Sequence, residues 1–332
     1  MTSNLHQNDL DYKDFFSYHT MQEKLLFLTK IAEKAPSRFN TRPWNFKVYN
    51  EQICVYTDMS KRLDLIDPYC RELYISMGCL LANLEIAAEY YGMKYSTSIL
   101  TGEPSHNLLF VMNFPPTELP KTVYPSSLFH TIFKRHVAHG SFVDRPIEAK
   151  DIERLQESID WIEEVSLFMT SDFHVKDYLA NITLDSELEQ FSNIAFRREQ
   201  ARWIKNNEKP TGMPISAMHL SPVKELLVSI YKDFNFGPDK AVFDKKLIDS
   251  ADYIGILSTK RDGIIDWIST GIAFQVMSLR AVELGISFQP ITSSIEVPYF
   301  RRKVQDLIES TQTPQMLIRF GYESKTPPST TI

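Results

Sequence analysis

Tyr74–Gly92, YISMGCLLANLEIAAEYYG, decides the fold, because the chain repeats its pattern at Trp267–Gly285, WISTGIAFQVMSLRAVELG. Both segments space apolar residues as a buried helix does, and both end in a glycine suited to a left-handed C-terminal cap. The constant offset between the copies favours duplication over chance, so we expect two related lobes with similar core helices. The identical positions are Ile75 and Ile268, Ser76 and Ser269, Gly78 and Gly271, Ala88 and Ala281, and Gly92 and Gly285.

A short polar loop, Ala35–Trp44 (APSRFNTRPW), lies between a helical and a strand-like segment. Its hydroxyl and amide side chains can hydrogen-bond the heteroatoms of a ring system, and its two arginines can meet negative charge. The stretch alone fits a site for a polar, aromatic, anionic cofactor and, equally well, a capped helix-to-strand loop anchored by Trp44. The side chains concerned are those of Ser37, Arg38, Asn40, Thr41 and Arg42.

A second candidate site is Phe133–Pro146, FKRHVAHGSFVDRP. It places Lys134, Arg135, His136 and His139 near a helix end, just before a glycine turn. Such a cluster can clamp a phosphate through charge-assisted hydrogen bonds of about 1.5–3 kcal/mol each. A solvated basic helix terminus, favoured by the helix dipole, has the same sequence pattern. The residues alone leave both interpretations open.

Together these stretches resemble the nitroreductase superfamily. The pattern A-P-S-x-x-N-T-R-P-W resembles its flavin-contacting loop, usually A-x-S-x-x-N-x-Q-P-W, with Arg42 where Gln is common. The segment around Arg135 resembles the R-R/H-x-x-R/K-x-x-F element that opens nitroreductase domains and contacts FMN. Asp58–Leu63, Asp67–Pro68 and Arg71–Gly78 extend the likeness to a two-lobed, Acg-type branch, in which one chain carries both halves of a homodimer.

The resemblance implies an FMN-dependent oxidoreductase that takes hydride from NADH or NADPH and passes electrons to a nitro, quinone or similar small acceptor. The cofactor carries that chemistry, so no catalytic side chain is predicted. Arg319, in the last apolar strand, matches an arginine of the branch, and the sequence leaves open whether it meets the cofactor or the core. The other cofactor-binding residues that the resemblance implies are Ser37, Arg38, Asn40 and Arg42 from the first lobe, and Arg135, His136 and His139 from the second.

Three features depart from the family pattern. His139 stands where the family often has Lys or Arg, so positive charge there would depend on pH. The tail Pro327–Ile332 lacks the arginines that often complete phosphate binding, which implies weaker FMN affinity. A segment near 207–222 resembles the lid of the branch, with Thr211 replacing an acid. Gly212, Met213 and Pro214 would form this lid, and an ordinary surface loop is the alternative.

Two other functions fit the same residues. The protein can bind and sequester FMN with little turnover, as the lid-bearing branch allows. Alternatively, it is a degenerate domain that no longer binds flavin and acts through protein contacts, which the missing carboxyl-terminal arginines and His139 support. Retention of FMN and its reduction by NADPH or NADH separate the three functions.

The amino-acid composition limits the classes of function that the protein can have. The chain has 332 residues, 43% of them apolar, and a net charge of −6, which suits a large core and argues against nucleic-acid binding. It has no apolar run long enough to span a bilayer, and the amino terminus lacks the pattern of a secretory signal, so we expect a cytoplasmic monomer or homodimer. The three cysteines and eight scattered histidines suggest neither disulfides nor a metal site.

The sequence therefore predicts the α+β class and a nitroreductase-like fold, with two pseudo-symmetric lobes whose mixed or antiparallel sheets are flanked by helices. The first lobe is expected at 12–114, a Pro-rich linker at 115–125 and the second lobe at 126–323. The lack of regular βαβ alternation and of a GxGxxG motif disfavours a Rossmann domain.

Apolar periodicity predicts the individual elements. Helices are expected at about 12–34, 71–91, 148–158 and 264–284, in two segments within 172–206, and in one segment that ends near His136. Strands are expected at about 46–49, 53–56, 95–100, 108–114, 165–169, 253–257 and 315–322.

Overall fold

The first lobe is a helix-flanked antiparallel sheet. The computed structural model describes residues 11–102, 107–115, 123–205, 211–214, 235 and 237–324. The sheet of the first lobe has the strand order β1-β2-β4-β3, with every pair antiparallel. Its elements are α1 (Met21–Ala32), β1 (Trp44–Tyr49), β2 (Gln52–Thr57), α2 (Arg71–Tyr90), β3 (Ser96–Ile99) and β4 (Leu108–Asn113).

The second lobe has more elements around a similar sheet, whose order is β10-β11-β9-β6 and whose pairs are all antiparallel. Strand β5 adds to β11, and β7 and β8 form a short parallel pair. The elements before the long helix are α3 (Ser127–Thr131), β5 (Phe142–Val143), α4 (Ala149–Glu157), β6 (Val165–Thr170), α5 (Phe173–Ser192), α6 (Ile194–Trp203), β7 (Ile204–Lys205), β8 (Met213–Pro214), α7 (Gly237–Asp249) and β9 (Tyr253–Thr259). The rest are α8 (Ile264–Glu283), β10 (Ser287–Ile291), α9 (Ser293–Glu296), α10 (Pro298–Leu307) and β11 (Thr313–Glu323).

The two four-stranded sheets share one connectivity. In the first lobe β2 leads into α2, the chain returns as the edge strand β3, and β4 then inserts between β3 and β2. In the second lobe β9, α8, β10 and β11 follow the same course. Helices and antiparallel strands confirm the predicted α+β class, and the shared topology is what an internal duplication produces.

The repeated helices α2 and α8 pack against each other at their glycines. A Cβ atom on Gly78 would collide with the carbonyl oxygen of Ile268, and one on Gly271 would collide with that of Ile75. Because Ile75 and Ile268 are equivalent in the repeat, the contact is reciprocal, as at a two-fold axis. Only glycine lets the two backbones approach this closely.

Both repeated helices end in the predicted left-handed glycine cap. Gly92 has a φ of 64° and Gly285 has a φ of 71°, a region that favours glycine. In each copy the amide after the glycine bonds back to the equivalent alanine carbonyl. These bonds are Met93 N to Ala88 O at 2.9 Å and Ile286 N to Ala281 O at 2.8 Å.

One apolar core extends through both lobes. It joins Leu25 and Phe110 of the first lobe to Ile268, Phe288 and Phe320 of the second. The lobes therefore share a core through α2 and α8. Of the predicted linker 115–125, residues 116–122 lie outside the described ranges, so the lobe boundaries stay a prediction.

Two predicted helices were wrong in extent. The helix expected at 12–34 is a 3-10 turn at Tyr12–Ser17 followed by α1, because Thr20 and Glu23 form a reciprocal capping box that starts a new helix. The helix expected to end near His136 ends at Thr131 and is followed by a turn over residues 132–134, after which Ala138 N bonds to Phe288 O at 3.0 Å. Strands β5, β7 and β8 and helices α7, α9 and α10 were not predicted.

We expect Gly78→Ala to lower the urea midpoint of unfolding strongly, by an amount that corresponds to about 1–3 kcal/mol or more, because the added methyl meets backbone. Gly102→Ala is the matched control, since no heavy atom lies within 4 Å of a Cβ built there. Equal midpoints for the two variants would show that the helices do not approach as closely as described.

Candidate functional site

The loop after α1 has an uncommon backbone conformation. Phe39, Asn40 and Arg42 have φ values of 49°, 53° and 51°, a region that bulky residues rarely adopt and that costs about 1–3 kcal/mol each when strained. The loop is braced from within, because the Ser37 hydroxyl oxygen accepts a hydrogen bond from Arg42 N at 2.9 Å. Surrounding contacts must hold this shape, which is common at binding sites.

Arg38 joins the two lobes. Its Nε lies 3.0 Å from Glu72 Oε2 at the start of α2, and its Nη2 lies 2.8 Å from Glu296 Oε1 on α9. The guanidinium also lies over the Phe39 ring, at 4.3 Å from its centroid. Two buried carboxyl groups therefore already hold this predicted cofactor ligand, the ionised Glu296 balances its charge, and Arg38 anchors the loop.

Asn40 contacts the segment that was predicted as a lid. Its Nδ2 donates to Gly212 O at 3.3 Å, and its carbonyl oxygen accepts from Gly212 N at 3.1 Å. Its Oδ1 accepts from Arg42 Nε at 3.2 Å. Met213 packs beside Phe39 in a small apolar cluster. Of the predicted lid at 207–222, residues 211–214 are described, and they rest on the loop; the others lie outside the described ranges.

Arg135 is a half-buried residue whose guanidinium has two buried, unused donors. Its Nη2 donates to Lys34 O at 3.3 Å, whereas Nε and Nη1 have no hydrogen-bond partner. No carboxylate in the described part of the chain lies within 4.0 Å of this guanidinium. Burial lowers the pKa of Arg135, with a small opposing effect from Cys79. A buried cation without a counter-ion is costly, so the position suits an anionic ligand.

Arg135 thus brings the two predicted halves of the site together, because Lys34 lies directly before the Ala35–Trp44 loop. The two histidines do not join it. His136 is exposed, and its Nε2 lies 2.9 Å from Glu323 Oε2 at the end of β11. His139 is also exposed. Their roles toward a cofactor stay predictions.

Arg319 belongs to the core, which decides the alternative that the sequence left open. It is fully buried, and its Nε donates to Gln289 Oε1 at 2.7 Å. Its Nη2 donates to Gly140 O at 2.7 Å and its Nη1 to Leu247 O at 3.3 Å, while the guanidinium lies 4.0 Å from the Phe142 ring centroid. Burial lowers its pKa to about 10. We therefore omit Arg319 from the candidate site; it fixes the turn after His139.

Two open grooves on the first lobe do not contain this site. One, of about 450 Å³, is lined by β1, β2 and Asn107, and the other, of about 490 Å³, lies between Met59–Asp64 and the end of α6. Neither is lined by Arg135 or by Ser37–Arg42. Convergent polar groups identify a site better than surface concavity does, so we place the candidate site at Arg135 and the loop.

Within the described ranges, His, Cys, Asp and Glu side chains form no group of three or more that could hold a metal ion. None of the helices in those ranges combines the length and apolar character needed to cross a bilayer.

Comparison with known proteins agrees with the sequence motifs. No family model matches the chain. Two curated proteins of Mycobacterium tuberculosis, from strains CDC 1551 / Oshkosh and ATCC 25618 / H37Rv, are 22% identical to it over 298 residues. The alignments cover 88% of this chain and 83% of each relative, and both relatives bear the provisional name NAD(P)H nitroreductase. The predicted resemblance to the nitroreductase superfamily is confirmed over most of the chain; the two-lobed branch stays a prediction.

Solved structures show weaker likeness. A nitroreductase of Bacteroides fragilis with bound FMN is 14% identical and aligns over 62% of this chain and 96% of its own, with a TM-score of 0.38. The FMN-dependent nitroreductase NfnB of Mycobacterium smegmatis, in complex with NADPH, is 13% identical over 60% and 88%, with a TM-score of 0.38. Alignments at this level support no argument about ligands.

We expect Arg319→Lys to destabilise the protein without added cofactor by roughly 2–4 kcal/mol, because an ammonium cannot reach three acceptors arranged around a planar fork. Arg302→Lys is the control, since Arg302 is exposed and pairs with Asp306 alone. Urea unfolding measures both. If Arg319→Lys unfolded like the control, its role in the core would be disproved.

Proposed function

We propose that the protein is an FMN-dependent oxidoreductase that transfers hydride or electrons from NADH or NADPH to a nitro, quinone or similar small acceptor. The single observation that carries this proposal is the buried Arg135 guanidinium, with two unused donors beside the Ser37–Arg42 loop. An anionic cofactor would supply the charge that the described part of the chain does not. Similarity to relatives named NAD(P)H nitroreductase over most of their length supports the same function.

When bound, FMN would supply the hydride and electron chemistry, and the chain would position it. Arg135 would neutralise its negative charge, and burial would make each charge-assisted hydrogen bond stronger than in water. Ser37 fixes the loop through Arg42 N, and Asn40 in turn accepts from Arg42 Nε, so that the loop keeps a defined shape after Lys34, whose carbonyl oxygen Arg135 contacts. Arg38 acts indirectly, by holding this loop to both lobes.

The first test is an absorbance spectrum of the purified protein after FMN addition and desalting, followed by anaerobic NADPH and NADH. We expect retained flavin that loses its visible absorbance when the donor is added. Failure to retain FMN would contradict the proposal and favour the degenerate interaction protein.

The role of Arg135 is tested by Arg135→Gln. We expect FMN affinity to fall by roughly tenfold or more, which corresponds to the about 1.5–3 kcal/mol of a hydrogen bond to a charged group. Lys134→Gln is the matched control, because it removes the same charge from the exposed neighbouring position. Fluorescence titration with FMN measures both affinities, and equal values would exclude Arg135 from the site.

Arg135→Gln should also leave the stability of the FMN-free protein unchanged or raise it. The substitution removes a buried cation that lacks a counter-ion, and such a charge destabilises the fold. Thermal unfolding of the two variants without FMN therefore separates loss of a ligand contact from loss of folding.

Sequestration of FMN with little turnover is the second candidate. The contact between Gly212 and Asn40, with Met213 packed beside Phe39, favours it, because this segment rests on the loop and can obstruct a second substrate. Retained flavin that stays oxidised under anaerobic NADPH and NADH would support this alternative over the oxidoreductase.

A further inference from the structure

A buried polar layer lies next to the loop, between α5 and α9. Of the fourteen buried side-chain polar atoms without a hydrogen-bond partner in the described part of the chain, seven belong to this layer. Three of the seven, Arg38 Nε, Glu72 Oε2 and Glu296 Oε1, take part in the ion pairs of Arg38. The other four, on Thr183, Glu187, Ser293 and Ser294, need water or a ligand to satisfy them, which indicates hydration of this layer. We call the layer the acid seam; it consists of Arg38, Glu72, Thr183, Glu187, Gln190, Ser293, Ser294 and Glu296.

The acid seam is continuous from the loop to α7. Arg38 contacts both Glu72 and Glu296, and Glu296 Oε2 accepts from Gln190 Nε2 at 2.6 Å. Gln190 and Glu187 are three residues apart on α5 and share a face of that helix. Glu187 Oε1 in turn lies 2.8 Å from Lys240 Nζ on α7.

The seam reaches solvent at its two cationic ends. The side chains of Arg38 and Lys240 are 26% and 33% exposed, whereas those of Glu72, Glu187 and Glu296 are 7%, 7% and 2% exposed. Buried carboxyl groups in a polar layer that reaches water at its ends can exchange protons along it, and the Arg38 end lies in the candidate cofactor loop.

The seam has more acids than it can hold ionised. Glu72 faces Arg38 of the loop, Arg71 of α2, Asp67 of the preceding turn and Glu296 of α9. Glu187 faces Lys240 and Asp244 of α7. Neighbouring buried carboxylates cannot all lose their protons, because each charge opposes the next.

The two carboxyl groups beside Arg38 differ in pKa because their environments differ. Burial, and then the charge of Glu296, raises the pKa of Glu72 to about 8 against the attraction of Arg38 and Arg71. Although burial opposes it, Arg38 holds the pKa of Glu296 below its usual value, with help from Gln190 and Thr292. Burial also raises the pKa of Glu187 to about 7. Adjacent groups whose pKa values differ in this way are typical of proton-transfer sites.

We propose that Glu72 holds the proton that the reaction consumes, and that the acid seam resupplies it from solvent at the Lys240 end. The inference rests on the proposed function. Reduction of a quinone by NAD(P)H breaks the C–H bond of the donor, which supplies two electrons and one hydrogen. The hydroquinone carries two hydrogens, so each turnover also takes up one proton. Glu72 contacts Arg38 of the loop and is the seam carboxyl group beside it that can release this proton near neutral pH.

The first experiment needs no cofactor. We expect an infrared band of a protonated buried carboxyl in the FMN-free parent that disappears as the pH rises through about 8. The band should be absent from Glu72→Gln and kept in Glu153→Gln, whose exposed side chain on α4 makes it the charge-matched control. Persistence of the band in Glu72→Gln would assign it to another residue and overturn the proposal.

Stability gives an independent check on the same protein. The pKa of Glu72 in the fold exceeds its unfolded value of about 4.3, so its contribution to stability is full below that pH and is lost as the pH rises through about 8. Glutamine stays neutral, so the unfolding free energy of Glu72→Gln should increasingly exceed that of the parent from pH 5 to 8. Parallel pH profiles for the two proteins would contradict the assignment.

The second experiment uses the FMN-loaded protein with NADPH and a water-soluble benzoquinone. We expect kcat of the parent to fall above about pH 8. In Glu72→Gln, kcat should fall at least tenfold, towards the range of about 10²–10⁴ that proton-transfer residues contribute. The variant should also lose this pH dependence and keep the KM for NADPH. If Glu72→Gln turns over with the same pH profile as the parent, the proton role of Glu72 is wrong but the proposed function stands. A parent that binds FMN but whose flavin is reduced by neither NADPH nor NADH refutes the proposed function and, with it, this proton role.

Discussion

The contact between α2 and α8 is the constraint on which the rest of the molecule depends. Gly78 and Gly271 let the two backbones touch, and the reciprocal arrangement fixes both lobes about one pseudo-two-fold axis. The contact is polar as well as close, because Gln275 Nε2 donates to Asn83 Oδ1 at 2.7 Å in the fully buried interface. Sliding or rotating either helix would break this bond and bring side chains against backbone, so the relative position of the lobes is defined.

The relative position of the two lobes determines which side chains meet at the start of α2. The crossing holds the N-terminal turn of α2, which carries Glu72, against the second lobe, where α9 supplies Glu296. Arg38 lies between the two carboxylates, so the loop of the first lobe is fastened by residues of both lobes. The strained backbone of Phe39 and Arg42 persists because this clamp and the Gly212 contact hold it from two sides. Both lobes of the duplicated fold therefore position the candidate site through their contacts with one short loop.

The sequence predicted the parts of this structure that depend on local periodicity. The two core helices, their glycine caps and most strands of the two sheets follow from apolar spacing and from the conformational freedom of glycine. The T-M-Q-E run at Thr20–Glu23 is a capping box readable from sequence, and it would have corrected the first helix. The acid seam had no such signal, because its members come from four separate parts of the chain and acquire partners only after the lobes pack. Arg319 was ambiguous for a similar reason: both faces of β11 are buried, so alternation could not tell which face it occupies.

Three arginines that looked alike in sequence have different surroundings. The difference distinguishes arginines that hold the fold together from one suited to bind a ligand. Arg319 is surrounded by an amide and two carbonyl oxygens, which satisfy its donors, and Arg38 is paired with the carboxyl groups of Glu72 and Glu296. Arg135 has one carbonyl partner and two unused donors. Burying a guanidinium in that state costs free energy that the fold does not recover from its own groups. A ligand that supplies an anion there would stabilise the folded protein in proportion to its affinity, so binding and stability are linked at this one side chain.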